Sequence, residues 1–461
     1  MSSAQQSPTR AKRVYIETFG CQMNVADSDI ALARLNEAGY QEVSDADQAD
    51  LIIYNTCSVR DNAEAKIRGR LGTIKARKAK QPGLRVAVMG CMAQRAQGEL
   101  LAAHPQLDLV VGTDQFVRLP ELLLQVEEEG RLAATDFGDF ESNGNWSTRR
   151  SDGVNAWIPV MRGCNYNCTY CIVPKTRGRE KSRPPELIEA EAREAVAQGH
   201  VQITLLGQTV DAYGKTLGDG SNLARLLRRL HDIEGLKRLR FITSHPKDIS
   251  DELLATMAEL PKVAKHLHVP AQCGSDRILR LMGRRYTRAG YLDFVERARR
   301  YMPEVELLTD IIVGFPRESE EDFQATRSLM ETVNFSGAYV FMYSPRPGTG
   351  AANLEDDVPM EVKKARCNEL LNLQLEMQGA WYQGLHGRSF EILVEGLSKT
   401  NPDRIQGRSI GNLNILVDRY GADGEDRLAW TGQLVKVRIT SSTSLSLFAE
   451  ALSPAMVASG A

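Results

Sequence analysis

The sequence predicts an α/β protein in three successive parts: an N-terminal parallel α/β domain, a partial (β/α)6 barrel of TIM type, and a small OB-like antiparallel β-barrel. Three observations predict this. Short β-rich runs alternate with helical periodicity from residue 12 to 380, the signature of parallel sheets. The alternation is interrupted once, by the polar Gly/Ser/Asn-rich stretch over 130–155, which reads as a linker. From residue 383 the helical patterns stop, and five short β runs separated by Gly, Asn, Asp and Pro fill the chain to 452. A length of 461 residues is itself too great for one core.

In the first part, residues 12–128, the runs "RVYIETFGC", "DLIIYNTC", "RVAVMGC" and "LDLVVGT" are the strands, with helices at "DSDIALARLNEAG", "NAEAKIRGRLGTIKARK" and "LPELLLQVEEE". In the second, residues 150–380, "NAWIPVMR", "VQITLLG", "RLRFITS", "HLHVP", "LLTDIIVGF" and "AYVFMYS" supply six strands. Helical patterns such as "PPELIEAEAREAVAQG" lie between them, and "EVKKARCNELLNLQLEMQGAWYQGL" is a long closing helix. The third part, residues 383–452, carries "RSFEILVEG", "RIQGRSI", "NILVDRY", "QLVKVRIT" and "SLSLFAEA".

Composition is that of an ordinary globular protein, 42% hydrophobic and 25% charged, with a net charge of −2. Any nucleic-acid surface must then be a local patch. No apolar run approaches the roughly 18 residues of a membrane span. The opening "MSSAQQSPTRAKR" has no apolar h-region and reads as a short disordered lead. The expectation is a cytoplasmic monomer without a membrane segment. In a reducing compartment its eight cysteines are metal ligands or buried thiols rather than disulfides.

Cys164, Cys168 and Cys171 fall in a CxxxCxxC on the loop that ends the first barrel strand, the end where β/α barrels place active sites. Zinc asks for a fourth ligand, and no His lies within 25 residues on either side. Three thiolates on a four-iron cluster leave one iron open. Cys21, Cys57 and Cys91 are far apart in sequence, but each ends a predicted parallel strand. Such ends share one edge of an open sheet, where ligands bind. They read as a second three-thiol set, with three ordinary buried cysteines as the alternative. Cys273 and Cys367 read as packing thiols, Cys273 being near enough to a strand end to approach the site.

These motifs together resemble the radical S-adenosylmethionine (SAM) methylthiotransferases, over residues 12–452. The CxxxCxxC is similar to the signature of the radical SAM superfamily. "TFGCQMN", "NTCSVR" and "GCMAQR" resemble the three half-motifs of the N-terminal methylthiotransferase domain. The segment with "GRSIGN" resembles a TRAM domain, an RNA-binding β-barrel. The resemblance implies two 4Fe-4S clusters and SAM as cofactors. Electron transfer from the Cys164/Cys168/Cys171 cluster would split SAM, and the resulting radical would take hydrogen from an unactivated C–H bond. The Cys21/Cys57/Cys91 cluster would carry sulfur. "NTCSVRDNAEAKIRGRLG" and "CTYCIVPKTRGREKSR" are most similar to the branch that forms 2-methylthio-N6-isopentenyladenosine at position 37 of tRNAs reading codons that start with U. Threonylcarbamoyl-adenosine and a ribosomal protein are the alternative substrates, and an RNA-binding protein with structural metal clusters is the non-enzymatic alternative.

The resemblance also directs attention to strand ends that would meet SAM: Gly207 and Gln208, Ser244 and His245, Asp310 and Gly314, and Arg346 and Gly348. Strand ends are often polar only because they meet solvent. The basic run Lys175, Arg177, Arg179, Lys181 and Arg183 reads as an extended strip beside the cysteine loop that holds RNA phosphates, against a merely solvated loop. Arg408 and Asn412 in "GRSIGN" are further RNA candidates, although the chain from residue 384 onward has eight Lys/Arg against eight Asp/Glu. The expected partners are the tRNA anticodon stem-loop, an electron donor such as flavodoxin or ferredoxin, and sulfur and iron-sulfur delivery proteins. The chain departs from the family pattern at Thr209 and Asp211, where Asn is usual, at Lys175, where an aromatic is common, and at Cys273, where Ser is frequent.

Overall fold

A computed structural model of the chain describes residues 11–58, 61–138, 153–421 and 424–454. The start of the predicted lead and most of the predicted linker lie outside these residues. The chain divides into two compact units. The first comprises Met1–Ser151, Arg162–Asn165 and Ile172–Arg183; the second comprises Asp152–Met161, Tyr166–Cys171 and Pro184–Ala461.

The first unit is a parallel sheet of β1 (Arg13–Phe19), β2 (Gln41–Glu42), β3 (Leu51–Thr56), β4 (Arg85–Gly90), β5 (Leu109–Val111) and β6 (Leu132–Ala134), in the order β2-β1-β3-β4-β5-β6. Helices α1 (Gln22–Glu37), α2 (Asp61–Lys80), α3 (Cys91–Ala103) and α4 (Leu119–Glu129) connect the strands. The apolar runs are continuous because both faces are covered. Leu51 and Ile53 enter one core with Ala87 and Met89, whereas Ile52 and Tyr54 enter the other with Val86 and Val88. Each such Leu, Ile, Val or Met side chain contributes about 1.5–3 kcal/mol on burial. The register aligns the strand ends. Phe19 pairs with Thr56, and Thr56 with Gly90, so β1, β3 and β4 end in one row. The segment Ile172–Arg183 of this unit opens with one short helix, α5 (Val173–Arg177).

In the second unit, β7 (Asn155–Pro159), β8 (Gln202–Leu206) and β9 (Arg238–Phe241) form one parallel sheet, and β10 (His266–His268), β11 (Glu306–Val313) and β12 (Gly337–Met342) form another. A single parallel bridge, Leu239 to Val263, joins the two. The result is six parallel strands in sequence order, as expected of a partial barrel. Along β11 buried and half-buried residues alternate, the period of a strand with helices on one side and a lumen on the other.

The helix Met360–Gln383 leads into a closed barrel of β13 (Ser389–Leu397), β14 (Arg404–Ser409), β15 (Asn414–Asp418), β16 (Leu434–Ser442) and β17 (Leu447–Pro454), ordered β13-β14-β15-β17-β16. One pairing in it, β15 with β17, is parallel. The antiparallel expectation needs this correction for a simple reason: strand direction cannot alternate all the way around a ring of five. The small barrel docks on the N-terminal ends of the larger barrel's strands. Arg238 donates to the carbonyls of Arg408 and Ser409 at 3.0 and 2.7 Å, the Lys265 amide to Ile410 at 2.9 Å, and Lys237 to Gly432 at 2.8 Å.

Gly163, just before the cysteine loop, has φ +75°, and a Cβ there would lie 2.0 Å from the Arg179 carbonyl oxygen. Gly72, inside α2, has nothing within 4 Å of such an atom. Urea unfolding should therefore show Gly163→Ala destabilised by more than about 1 kcal/mol and Gly72→Ala unchanged or stabilised by about 1 kcal/mol.

Candidate metal centre

The first thiol set is built from the strand ends of the first unit. Cys21 caps α1 in extended conformation, Cys57 follows β3, and Cys91 is the first residue of α3. Two of the three thiols thus sit at helix N-termini, where the backbone dipole favours a thiolate. The half-motif residues lock the three ends together. Asn24 meets the Cys21 sulfur at 3.3 Å and donates to the Asn55 side chain at 2.9 Å. Asn55 donates to the Asn24 carbonyl at 2.7 Å and to Ser28 Oγ at 2.9 Å. Gly90, with φ +96°, leaves room for them: a Cβ there would meet Asn55 Oδ1 at 2.5 Å and the Thr56 carbonyl at 2.7 Å. The Cys21 and Cys57 thiols hydrogen-bond to each other. That contact, opposed by burial and helped by Arg177, brings the Cys21 thiol down to about 6.

Behind this set lies a buried charge cluster. Asp27, on α1, is wholly buried and holds two guanidinium groups, Arg162 through Oδ1 and Arg177 through Oδ2 at 2.7 Å. Arg162 also donates to the Thr113 carbonyl at 2.6 Å and lies over the Phe116 ring, with Asp114 at 4.0 Å. Burial works against the charge on Arg177, but Asp27, Cys91 and Cys21 more than offset it and hold the guanidinium firmly protonated.

Of the second thiol set, Cys164 lies in the first unit and donates its amide to the Gly178 carbonyl at 3.2 Å. Cys168 and Cys171 lie in the second unit, joined by a 3.0 Å backbone hydrogen bond from the Cys171 amide to the Cys168 carbonyl. There Arg284 donates to the Cys168 sulfur at 3.4 Å and to the Pro270 carbonyl at 3.1 Å. Tyr166 stacks on His245, with ring centroids 3.8 Å apart, and donates to Asp248 at 2.8 Å. Among the described residues no three His, Cys, Asp or Glu side chains close on one point as the ligands of a single ion do. The thiolates of a four-iron cluster occupy separate corners and need no such point.

In the second unit, Gly207 comes directly after β8 and packs on Met161, and Gln208 is next to it. The Ser244 amide donates to the His268 carbonyl at 3.1 Å. The His245 amide donates to Asp211 at 2.8 Å, and burial, with Arg284 and Lys247 nearby, takes its imidazole down to about 2, so it is neutral. Asp310 lies within β11 and pairs with His268 at 3.0 Å. The Gly314 amide donates to Glu318 at 2.7 Å. Arg346 and Gly348 lie on the loop after β12, where the Arg346 carbonyl accepts from the amide and hydroxyl of Thr349. Asp211, one of the departures from the family pattern, is raised by burial and by Asp248. Cys273 packs against Thr326, and burial pushes its thiol up to about 12.

Residues 13–112 match the uncharacterized protein family UPF0004 and residues 158–330 match the radical SAM superfamily. A tRNA-2-methylthio-N(6)-dimethylallyladenosine synthase of Acetivibrio thermocellus is 45% identical, over 95% of this chain and 91% of its own. Those of Bacteroides thetaiotaomicron and Syntrophomonas wolfei are 44% and 42% identical, over 95% and 98% of this chain and 96% and 99% of theirs. The chain belongs to this synthase family. Among solved structures, the radical SAM methyltransferase TsrM from Kitasatospora setae, with cobalamin and a [4Fe-4S] cluster bound, has a similar fold. The TM-score is 0.55 at 15% identity, over 74% of this chain and 77% of that one. The cobalamin-dependent radical enzyme OxsB gives a TM-score of 0.53 at 11% identity, over 80% of this chain and 56% of that one.

For this member of the synthase family, the basic run is not the extended strip expected. Pro174 presets the helical turn of α5 and Gly178, with φ +73°, ends it. Arg177 and Arg183 are buried, so neither is open to a phosphate. Lys175 and Arg179 are exposed, and Lys181 donates to the Gly138 carbonyl at 2.9 Å. Arg408 is bonded to Glu395 and to the Asn412 side chain, both at 3.2 Å, at the seam with the larger barrel. Sequence reasoning missed Asp27, Arg162, Arg284 and Tyr166. Only Tyr166 carried a signal, its place inside the CxxxCxxC.

Replacing Asp27 with Asn leaves two buried guanidinium groups short of a counter-charge. The expected cost is about 3–5 kcal/mol, read as a lower urea midpoint of the apo protein.

Proposed function

We propose that the chain methylthiolates C2 of N6-isopentenyladenosine at position 37 of tRNAs that read codons starting with U. The observation that carries this reading is identity above 40% with synthases of that name over nearly the whole of both chains. Family membership brings SAM and 4Fe-4S clusters as cofactors. We assign one cluster to Cys164, Cys168 and Cys171 and the other to Cys21, Cys57 and Cys91. The donor chemistry fits: the register brings the first set's strand ends into one row, two of its thiols sit at helix N-termini that favour thiolates, and Arg284 bonds the Cys168 sulfur. When bound, these groups supply the radical and sulfur chemistry that an unactivated C–H bond demands and side chains lack.

The protein's own part is to orient and to shield. Arg284 bonds the Cys168 sulfur, and the Tyr166–His245 stack fixes the loop between Cys164 and Cys168. Gly207, Gln208, Ser244, His245, Asp310, Gly314, Arg346 and Gly348 are the groups proposed to meet SAM, His245 as a neutral ring. Lys175, Arg179 and Lys181 are the cations proposed to meet tRNA phosphates, and position 37 must be splayed from its loop to reach the barrel. In this reading residues 12–128 carry sulfur, 150–380 carry out the radical step and 383–452 grip RNA. The protein works as a cytoplasmic monomer, with a flavodoxin or ferredoxin as electron donor and with sulfur and iron-sulfur delivery proteins.

Two measurements test this. Nucleosides from bulk tRNA of a strain lacking the protein should show isopentenyladenosine accumulating while its 2-methylthio form disappears. Loss of methylthio from threonylcarbamoyl-adenosine instead would move the substrate, and no change in either would remove tRNA as the substrate. After anaerobic reconstitution, replacing either cysteine triplet by Ala should remove about half of the bound iron and replacing both should remove all of it.

A further inference from the structure

In the sequence Arg177 is one cation of a phosphate-binding run, yet the structure leaves it 4% exposed and faces it elsewhere. Its Nη1 donates to Asp27 at 2.7 Å. Its Nη2 is buried and has no hydrogen-bond partner among the described residues. Asp27 does not belong to Arg177 alone, because its other oxygen holds Arg162. Arg177 ends α5, which packs against α3, the helix whose first residue is Cys91. A guanidinium carries five donors in a fixed fork, and a buried donor without an acceptor is costly. A sulfur-rich anion held by the neighbouring cysteines would supply that acceptor.

We propose that Arg177 is the charge-compensating group of the cluster held by Cys21, Cys57 and Cys91, with its Nη2–H donating to a sulfur of that cluster. This rests on the assignment of those three cysteines to a cluster. The physical consequence is a matter of charge. One-electron reduction adds a negative charge to the cluster, and a fixed buried cation stabilises the reduced form more than the oxidised one. Hydrogen bonds to cluster sulfurs act in the same direction. Arg177 thereby sets the potential of the sulfur-carrying centre, and Asp27 holds it in position.

The test uses the full chain with Cys164, Cys168 and Cys171 replaced by Ala, so that a single cluster reports. After anaerobic reconstitution, iron per chain is counted and the midpoint potential is read by redox titration with electron paramagnetic resonance. In this background Arg177→Gln should keep its iron and shift the reduction equilibrium at least tenfold toward the oxidised form, about 59 mV for a one-electron couple. Arg177→Lys keeps the charge but loses the fork, so it should shift the potential less and still change the resonance line shape. Full iron with an unchanged potential in Arg177→Gln overturns the proposal. Should Arg177→Gln fail to fold, Arg177→Lys decides: a potential and line shape equal to those of the parent overturn it. A background that binds no iron overturns the cluster assignment and this proposal with it, a result distinct from equal potentials.

Discussion

A single carboxylate, that of Asp27, organises the centre of the first unit. Its two oxygens fix two buried guanidinium groups from residues 135 and 150 positions away. Taking three charges out of water is favourable only when geometry and hydrogen bonding are nearly complete. On the Arg162 side a carbonyl, an aromatic face and a second carboxylate lie around the guanidinium. On the Arg177 side one buried donor, Nη2, has no hydrogen-bond partner among the described residues.

The row of strand ends is the second constraint. Parallel pairing of β1, β3 and β4 brings three cysteines separated by dozens of residues to one edge, and that much was legible from sequence, because each quoted strand stops at its cysteine. The six-strand barrel was legible on another ground: short β-rich runs alternating with helical ones allow few other arrangements. What was illegible depends on tertiary partners. A run of alternating Lys and Arg looks solvated unless one knows that Asp27 waits for one of them. Arg284 lies 116 residues from the cysteine it touches, and no spacing announces it. The parallel pair in the small barrel stems from an odd strand count, which becomes a constraint only once closure is known.

The seam between the small barrel and the larger one shows how backbone groups divide labour. Cations and an amide at the start of the strands, Lys237, Arg238 and Lys265, satisfy carbonyls of the small barrel. The segment "GRSIGN" serves this junction, which accounts for a motif with more backbone contacts than exposed charge. Gly207, Ser244 and Gly314 lie at the opposite, C-terminal ends of the barrel strands, the face that β/α barrels generally use for chemistry.

The first unit is compact in space and discontinuous in sequence, since Arg162–Asn165 and Ile172–Arg183 belong to it. This bears on how the chain can be inherited. An exchange of residues 1–138 between relatives would carry Asp27 without the two arginines that neutralise it, and an exchange of residues 153–461 would carry the arginines alone. The N-terminal sheet and the segments Arg162–Asn165 and Ile172–Arg183 therefore form one heritable module. Recombination at the polar stretch between them, the most permissive-looking junction in the sequence, cuts through that module's ionic core.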